Sequence, residues 1–315
     1  MDKTFFAIGE SLIDFIPGQT GCSFEDVESF SPKIGGAPAN VLGAFTKLGG
    51  KTQLLTQLGN DPFGHKILNK FKEWNVGIDH VSLTDKANTA LAFVSLDANG
   101  NRDFSFYRNP SADMLYDESQ IKKEWFENCF GLHFCSVSLG DFPMKQAHIA
   151  AIEKAKNNNA IISFDPNLRR PLWKSDEAMI NAVKEFLPYA DIIKVSDEEI
   201  NLICGTDDIH SACRMLLKDA KLVICTCGAN GAYAFTENAT VYASSERVKA
   251  VDTTGAGDAF CGSLLYNLHR HGIEKHTLSE IDEKTLEKLI VSSNNYCTKS
   301  VQQYGAIESY PDNIN

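Results

Sequence analysis

The chain of 315 residues carries 30 Lys+Arg against 41 Asp+Glu, a formal net charge of −11, with 43% hydrophobic and 23% charged residues. It is long enough to bury a full core and too apolar to be disordered. The acid surplus argues against a general nucleic-acid or anionic-membrane binder, since both need a basic surface, yet a few local donors can still hold a phosphate.

Met1 to Glu10 is a short apolar run ending at Gly9-Glu10. It lacks the longer apolar core and the small-residue cleavage site of a signal peptide. No stretch approaches the roughly 18 apolar residues of a membrane span. The nine cysteines are odd in number and scattered, as expected of reduced thiols in a cytoplasmic protein. Cys225-Thr226-Cys227 would point two sulfurs to one side of a strand, but nothing nearby has zinc spacing, so they read as core residues.

Strand-like apolar runs are predicted at 3–8, 53–58, 131–137, 160–164, 191–195 and 221–226. Helix-like stretches are predicted at 38–48, 63–74, 143–157, 177–187, 197–204, 208–218, 256–271 and 283–299. This alternation indicates one α/β domain over 1–315, a doubly wound, mainly parallel sheet flanked by helices. His269 and His271 flank Arg270 where a helix ends, which suits the negative end of the helix dipole.

Two segments break the alternation. Residues 11–32 read as short strands with turns at Pro17-Gly18 and Gly21. Thr89–Asp97 and Asp103–Arg108 read as strands around an Asn99-Gly100 turn signal. Together, 11–32 and 89–110 are expected to form a small inserted β-sheet serving as a lid. The plain alternative is a pair of hairpins on the edge of the main sheet.

Familiar phosphate motifs fail. Gly50-Lys51-Thr52 has the tail of a P-loop, but Phe45 stands where its first Gly should be. Gly255-Ala256-Gly257-Asp258-Ala259-Phe260 lacks the third Gly of a dinucleotide fingerprint. The protein-kinase motifs are absent. What remains is Val251-Asp252-Thr253-Thr254-Gly255-Ala256-Gly257-Asp258, small residues crowding the start of an apolar helix. The N–H groups of 255–258 and the helix dipole would form an anion hole for a phosphoryl group. Asp258 in the first turn would be kept ionised there and could accept the proton of an attacking hydroxyl. A purely structural helix-start carboxylate is the competing reading.

The 252–262 stretch resembles the C-terminal signature of the ribokinase-like (PfkB) carbohydrate kinase family. Gly35-Gly36-Ala37-Pro38-Ala39-Asn40 resembles its N-terminal signature. The likeness covers essentially the whole chain and is closest to bacterial fructokinases. It implies that Asp14, Gly35, Gly36 and Asn40 cradle the sugar, with Asp14 accepting from vicinal hydroxyls. Asp165-Pro166-Asn167-Leu168-Arg169 is similar to a stretch of fructokinase-type members, implying that Asn167 and Arg169 face the transferring phosphoryl. Spacing favours Arg169 over Arg170.

Lys194 ends a strand before Ser196, which stands where the family usually has Asn. Glu199 is retained and would order Mg²⁺ through water; it also begins a helix, where a carboxylate suits the dipole. Thr226, Gly228 and Gly231 resemble the nucleotide loop, and Asn294 falls at the adenine side. Asp252, Thr254, Ser300, Gln303, Gly305 and Ser309 fall where some members bind K⁺.

Residues 103–114 resemble the second lid segment of bacterial fructokinases. Phe104 and Phe106 would share a face that excludes water, with Arg108 reaching sugar oxygens. The resemblance implies transfer of the γ-phosphoryl of ATP to a primary hydroxyl of a ketose, D-fructose in the favoured case. Aminoimidazole riboside, 2-keto-3-deoxygluconate and ribose kinases are the alternatives, and an inactive sugar-binding regulator is the alternative outside enzymes. An open sheet-like lid could pair with a second copy in a homodimer. No nucleic-acid or membrane partner is expected.

Overall fold

The computed structural model of the protein describes residues 3–19, 21–96 and 102–313. The strands, in chain order, are β1 (Thr4–Ile8), β2 (Leu12–Pro17), β3 (Phe30–Gly35), β4 (Thr52–Gly59), β5 (Val81–Thr84), β6 (Leu91–Leu96), β7 (Arg102–Tyr107), β8 (Cys129–Cys135), β9 (Ile161–Asp165), β10 (Ile192–Ser196), β11 (Leu222–Thr226), β12 (Ala232–Phe235) and β13 (Thr240–Ala243). The α-helices are α1 (Ala37–Lys47), α2 (Pro62–Glu73), α3 (Met144–Lys156), α4 (Asp176–Phe186), α5 (Ile200–Cys204), α6 (Ile209–Leu216), α7 (Ala256–Arg270) and α8 (Glu283–Ser300).

Nine strands form one sheet in the order β13-β12-β11-β10-β9-β8-β1-β4-β5. From β5 to β11 all pairs are parallel; β12 and β13 add an antiparallel edge. The chain runs outward from β1 through β4 and β5. It then returns to β8 on the other side of β1 and continues through β9, β10 and β11. The strand order thus reverses between β1 and β8, which opens a crevice at their C-terminal ends.

β1 is apolar from Phe5 to Ile8 because these residues are buried on both faces. Phe5 and Ala7 pack into a core shared with α1, α7 and α8, while Phe6 and Ile8 pack into the opposite core with α3, α4 and α6. The two-residue period of the strand thus builds two hydrophobic layers.

The other four strands form a separate sheet, β3-β2-β6-β7, with β2 and β6 parallel and the outer pairs antiparallel. Two hairpins on the edge of the main sheet are therefore excluded. β3 runs to Gly35, beyond the boundary of 32 expected from sequence, so Gly35 belongs to the small sheet. The Asn99-Gly100 turn lies outside the described residues.

Helix starts differ in a way that positions chemistry. Asp61, Ser175, Asp208 and Asp282 cap α2, α4, α6 and α8 with their side chains. α1 and α7 begin instead at Gly36 (φ 109°) and Gly255 (φ 72°), with no side-chain cap. Only glycine adopts such angles without strain, and the first-turn N–H groups are left open to a ligand. Gly262 lets α1 and α7 cross closely, since a Cβ there would stand 2.4 Å from Val41 O. At its far end α7 is closed by His271 Nδ1, 2.8 Å from Asn267 O.

Candidate active site

A cleft of about 560 Å³ lies between the small sheet and the C-terminal edge of the main sheet. Leu12, Asp14, Val94, Phe104 and Phe106 line its roof, and Gly36, Asn40 and Gly255 to Asp258 line its floor. Two helix starts distant in sequence are joined here: Asn40 Nδ2 donates to Asp258 Oδ2 at 2.9 Å. Asn40 Oδ1 is buried and has no hydrogen-bond partner among the described residues. An orphaned acceptor beside the cleft suits a ligand hydroxyl.

Asp258 is 8% exposed. Burial pushes its carboxyl up to about 6 despite the Asn40 hydrogen bond, the neighbouring Asp165 adds to the rise, and Lys194 and Arg169 oppose it. Desolvation outweighs the dipole at the helix start and raises the pKa without neutralising the group. Near neutral pH the group is mostly ionised and close to the pKa a general base needs.

Around it lies the anion cradle. The N–H groups of Gly255, Gly257 and Asp258 have no hydrogen-bond partner among the described residues. Ala256 departs from expectation, since its N–H is turned onto Thr253 O at 3.2 Å. Tyr310 Oη donates to Gly255 O at 2.8 Å and fixes the turn. A Cβ on Gly257 would stand 3.2 Å from Lys194 Nζ, so the ammonium faces the cradle across the bare glycine. Lys194 is buried and paired with Asp165 at 2.9 Å. Burial alone would lower its pKa, but Asp165 and Glu199 more than offset that and leave it raised.

Asn167 (φ 44°) and Arg169 follow β9 and line the cleft. Arg170 turns away to a two-pronged bond with Asp176 at 3.0 Å. Of the two arginines, Arg169 is the one that lines the cleft. Glu199 Oε1 accepts from Leu168 N at 2.7 Å and Oε2 from Ser196 N at 2.9 Å, so its carboxylate first of all joins the loops after β9 and β10.

Asp14 lies over Gly35, where a Cβ would stand 2.0 Å from its Oδ2. Phe104 and Phe106 stack with centroids 5.6 Å apart and both line the cleft. Arg108 corrects an expectation. Only 5% exposed, it does not line the cleft; it bonds Asp113 through Nε (3.0 Å), Val137 O through Nη1 (3.1 Å) and Ser138 Oγ through Nη2 (3.1 Å). It therefore organises the cleft from beneath.

Thr226, Gly228 and Gly231 lie beyond the cleft at the end of β11. Thr226 Oγ1 donates to Val195 O at 3.3 Å, and Gly228 has open space around its Cα. A Cβ on Gly231 would stand 2.1 Å from Ala243 O. Asn294 Nδ2 donates to the same carbonyl at 2.9 Å, so its NH₂ group anchors the end of β13.

The expected cation positions fall on two facing segments. Val251 N and Asp252 N donate to Val301 O, and Gly305 N donates to Asp252 Oδ2 at 3.0 Å. Asp252 Oδ1 also accepts from Thr254 Oγ1 at 2.6 Å. The Ser300 and Ser309 hydroxyls donate within their own segments, to Cys297 O and Ala306 O, and Gln303 N donates to Ser300 O.

Sequence reasoning missed Glu10, Ser138, Asp113 and Tyr310. Glu10 lines the cleft and is 3% exposed. A carboxylate directly after an apolar strand was the available signal; a lone Ser or Tyr gave none.

A model described as pfkB family carbohydrate kinase matches residues 2–313. The chain is 41% identical over 307 residues to a probable fructokinase-5 of Arabidopsis thaliana, covering 97% of this chain and 93% of that protein. A crystal structure of fructokinase with bound ATP from Xylella fastidiosa matches with a TM-score of 0.90 at 32% identity, over 99% of this chain and 96% of that one. A double-mutant fructokinase from Vibrio cholerae O395, in a form binding fructose, ADP and potassium ion, matches at 0.85 and 31% identity, over 99% and 96%.

Proposed function

The chain belongs to the pfkB family of carbohydrate kinases, and from that membership we propose that it transfers the γ-phosphoryl of ATP to the primary hydroxyl of D-fructose, giving fructose 6-phosphate. The observation that carries this reading is the placing of Asp258. A buried carboxylate held near 6 sits in the same helix turn as three open N–H groups, with a buried ammonium facing them. A base for the acceptor hydroxyl and a cradle for the phosphoryl thus occupy one spot.

Asp258 takes the proton of the attacking hydroxyl, and Asn40 holds it in place. The Gly255, Gly257 and Asp258 N–H groups, Lys194 and Arg169 stabilise the charge spread over the transferring phosphoryl oxygens. Asp14, Gly35, Gly36 and Asn40 hold the sugar. Thr226, Gly228 and Gly231 bound the nucleotide side. A Mg²⁺ bound with ATP would neutralise phosphate charge, and Glu199 would hold it through water. Among the described residues no three His, Cys, Asp or Glu side chains group to hold a metal. The Glu199 oxygens each keep a second lone pair for a water of that ion. Asp252, Thr254, Ser300, Gln303, Gly305 and Ser309 would hold K⁺ through backbone carbonyls.

The small sheet acts as a lid whose Phe104 and Phe106 exclude water from the phosphoryl. Its free edges suit pairing with the lid of a second copy. An ADP-release assay across fructose, ribose, 2-keto-3-deoxygluconate and aminoimidazole riboside, with and without K⁺, tests the reading. Fructose should give the highest kcat/KM, and a higher value for another sugar overturns the assignment.

A further inference from the structure

The crevice where the strand order reverses is occupied by a buried polar network. Glu10 follows β1 and Ser138 follows β8, the two strands on either side of the reversal. Arg108 Nη2 donates to Ser138 Oγ at 3.1 Å. A guanidinium cannot accept, so the Ser138 hydroxyl must direct its own proton elsewhere. It goes to Glu10 Oε2, 3.0 Å away. The hydrogen bonds therefore run in one direction, from Arg108 through Ser138 to Glu10.

The charge count argues against a mere brace. Arg108 already has a buried carboxylate partner in Asp113, which is 1% exposed and also accepts from Ser111 Oγ. Glu10 adds a second buried carboxylate to a network with one cation. Burial raises its pKa, with only partial relief from Arg108. A structural tie between strand ends could use a neutral side chain at lower cost. Unlike Asp113, Glu10 also faces the cleft, next to Leu12, Asp14 and Gly36.

We infer that Glu10 determines sugar specificity: it accepts a hydrogen bond from a non-reacting hydroxyl of the acceptor, and Arg108 and Ser138 position it. The inference rests on the proposed kinase reading. Glu10 is the ligand group of the network, and Arg108, at the foot of β7, ties the small sheet to it.

The test is a cycle of variants against sugars. E10Q should raise KM for fructose about 10- to 100-fold, the loss expected for a hydrogen bond to a charged group, with KM for ATP and the acid limb of the pH profile unchanged. Among mono-deoxy fructoses, the one lacking the recognised hydroxyl should be used equally well by E10Q and wild type. S138A, which keeps the carboxylate but removes its donor, should raise KM for fructose severalfold, and the same analogue should cancel the effect. E10Q within twofold of wild type overturns the inference, as does an equal loss with every analogue. If E10Q does not fold, an unchanged KM in S138A overturns it. A wild-type enzyme that prefers another sugar sinks the fructose assignment alone, because the same cycle can be run on that sugar.

Discussion

The hydrogen bond from Asn40 Nδ2 to Asp258 Oδ2, 2.9 Å long, joins residues 218 positions apart and opposes the rise that burial imposes on the carboxyl's pKa. Asn40 donates more strongly to the ionised form than to the protonated one, so it lowers a pKa that burial has raised. With the wild-type value near 6, kcat/KM should fall as pH drops through 6, where Asp258 takes up a proton. Removing the donor in N40A should move that acid limb upward by about one pH unit. Rate profiles between pH 5 and 9 decide this. A limb that stays in place separates Asn40 from the charge of Asp258.

D258N should lower kcat by about 10²- to 10⁴-fold while ATP affinity changes little. The same variant should be more stable than wild type at neutral pH. The folded-state pKa lies above the ordinary 3.8, so the native protein holds this proton more tightly than the unfolded chain. Keeping Asp258 ionised in the fold therefore costs stability increasingly as pH rises from 4 through 6, up to about 3 kcal/mol above that window. Asparagine has no such cost. Melting at pH 7.5 and at pH 4 should show a higher Tm for D258N in the first case and no advantage in the second. A lower Tm at pH 7.5 contradicts the burial argument.

Two neighbouring glycines should respond in opposite ways. Gly255 has a φ of 72°, and a Cβ would stand 2.5 Å from Tyr310 Oη and 2.8 Å from Ala306 Cβ. G255A should destabilise the protein by more than the 1–2 kcal/mol that left-handed backbone costs alone. Gly257 is helical and its Cβ would meet only Lys194, so G257A should leave stability nearly unchanged. It should still reduce kcat/KM at least about tenfold, because a methyl would enter the cradle where a phosphoryl must approach. Denaturant unfolding and steady-state rates on both variants separate the two roles.

The main sheet was legible because buried parallel strands are continuous apolar runs; β1, β4 and β8 to β11 each fall within about two residues of the predicted run. β5 was missed because its apolar–polar alternation, Val81-Ser82-Leu83-Thr84, is only four residues long and lies at a sheet edge where even Leu83 is exposed. The glycine-rich start of α7 was legible as chemistry, since small residues there serve little packing purpose. Arg108 and Asn294 show one limit: sequence identifies a donor but not the acceptor that folding places beside it. Arg108 finds Asp113 and Ser138, and Asn294 finds Ala243 O. The raised pKa of Asp258 was not legible because burial is a tertiary property that a first-turn position does not reveal.

The buried pair of Lys194 and Asp165 links stability to the phosphate site and allows the two to be separated. K194M would leave a carboxylate 1% exposed with its cation gone. Breaking a buried pair in this way costs about 3–5 kcal/mol, most of it from the stranded charge. The double variant D165N/K194M removes that charge and should recover most of the stability, measured by urea unfolding. It should not recover activity, because the ammonium facing Gly257 is still missing. If the double variant regains turnover, Lys194 has no part in holding the phosphoryl and serves only to neutralise Asp165.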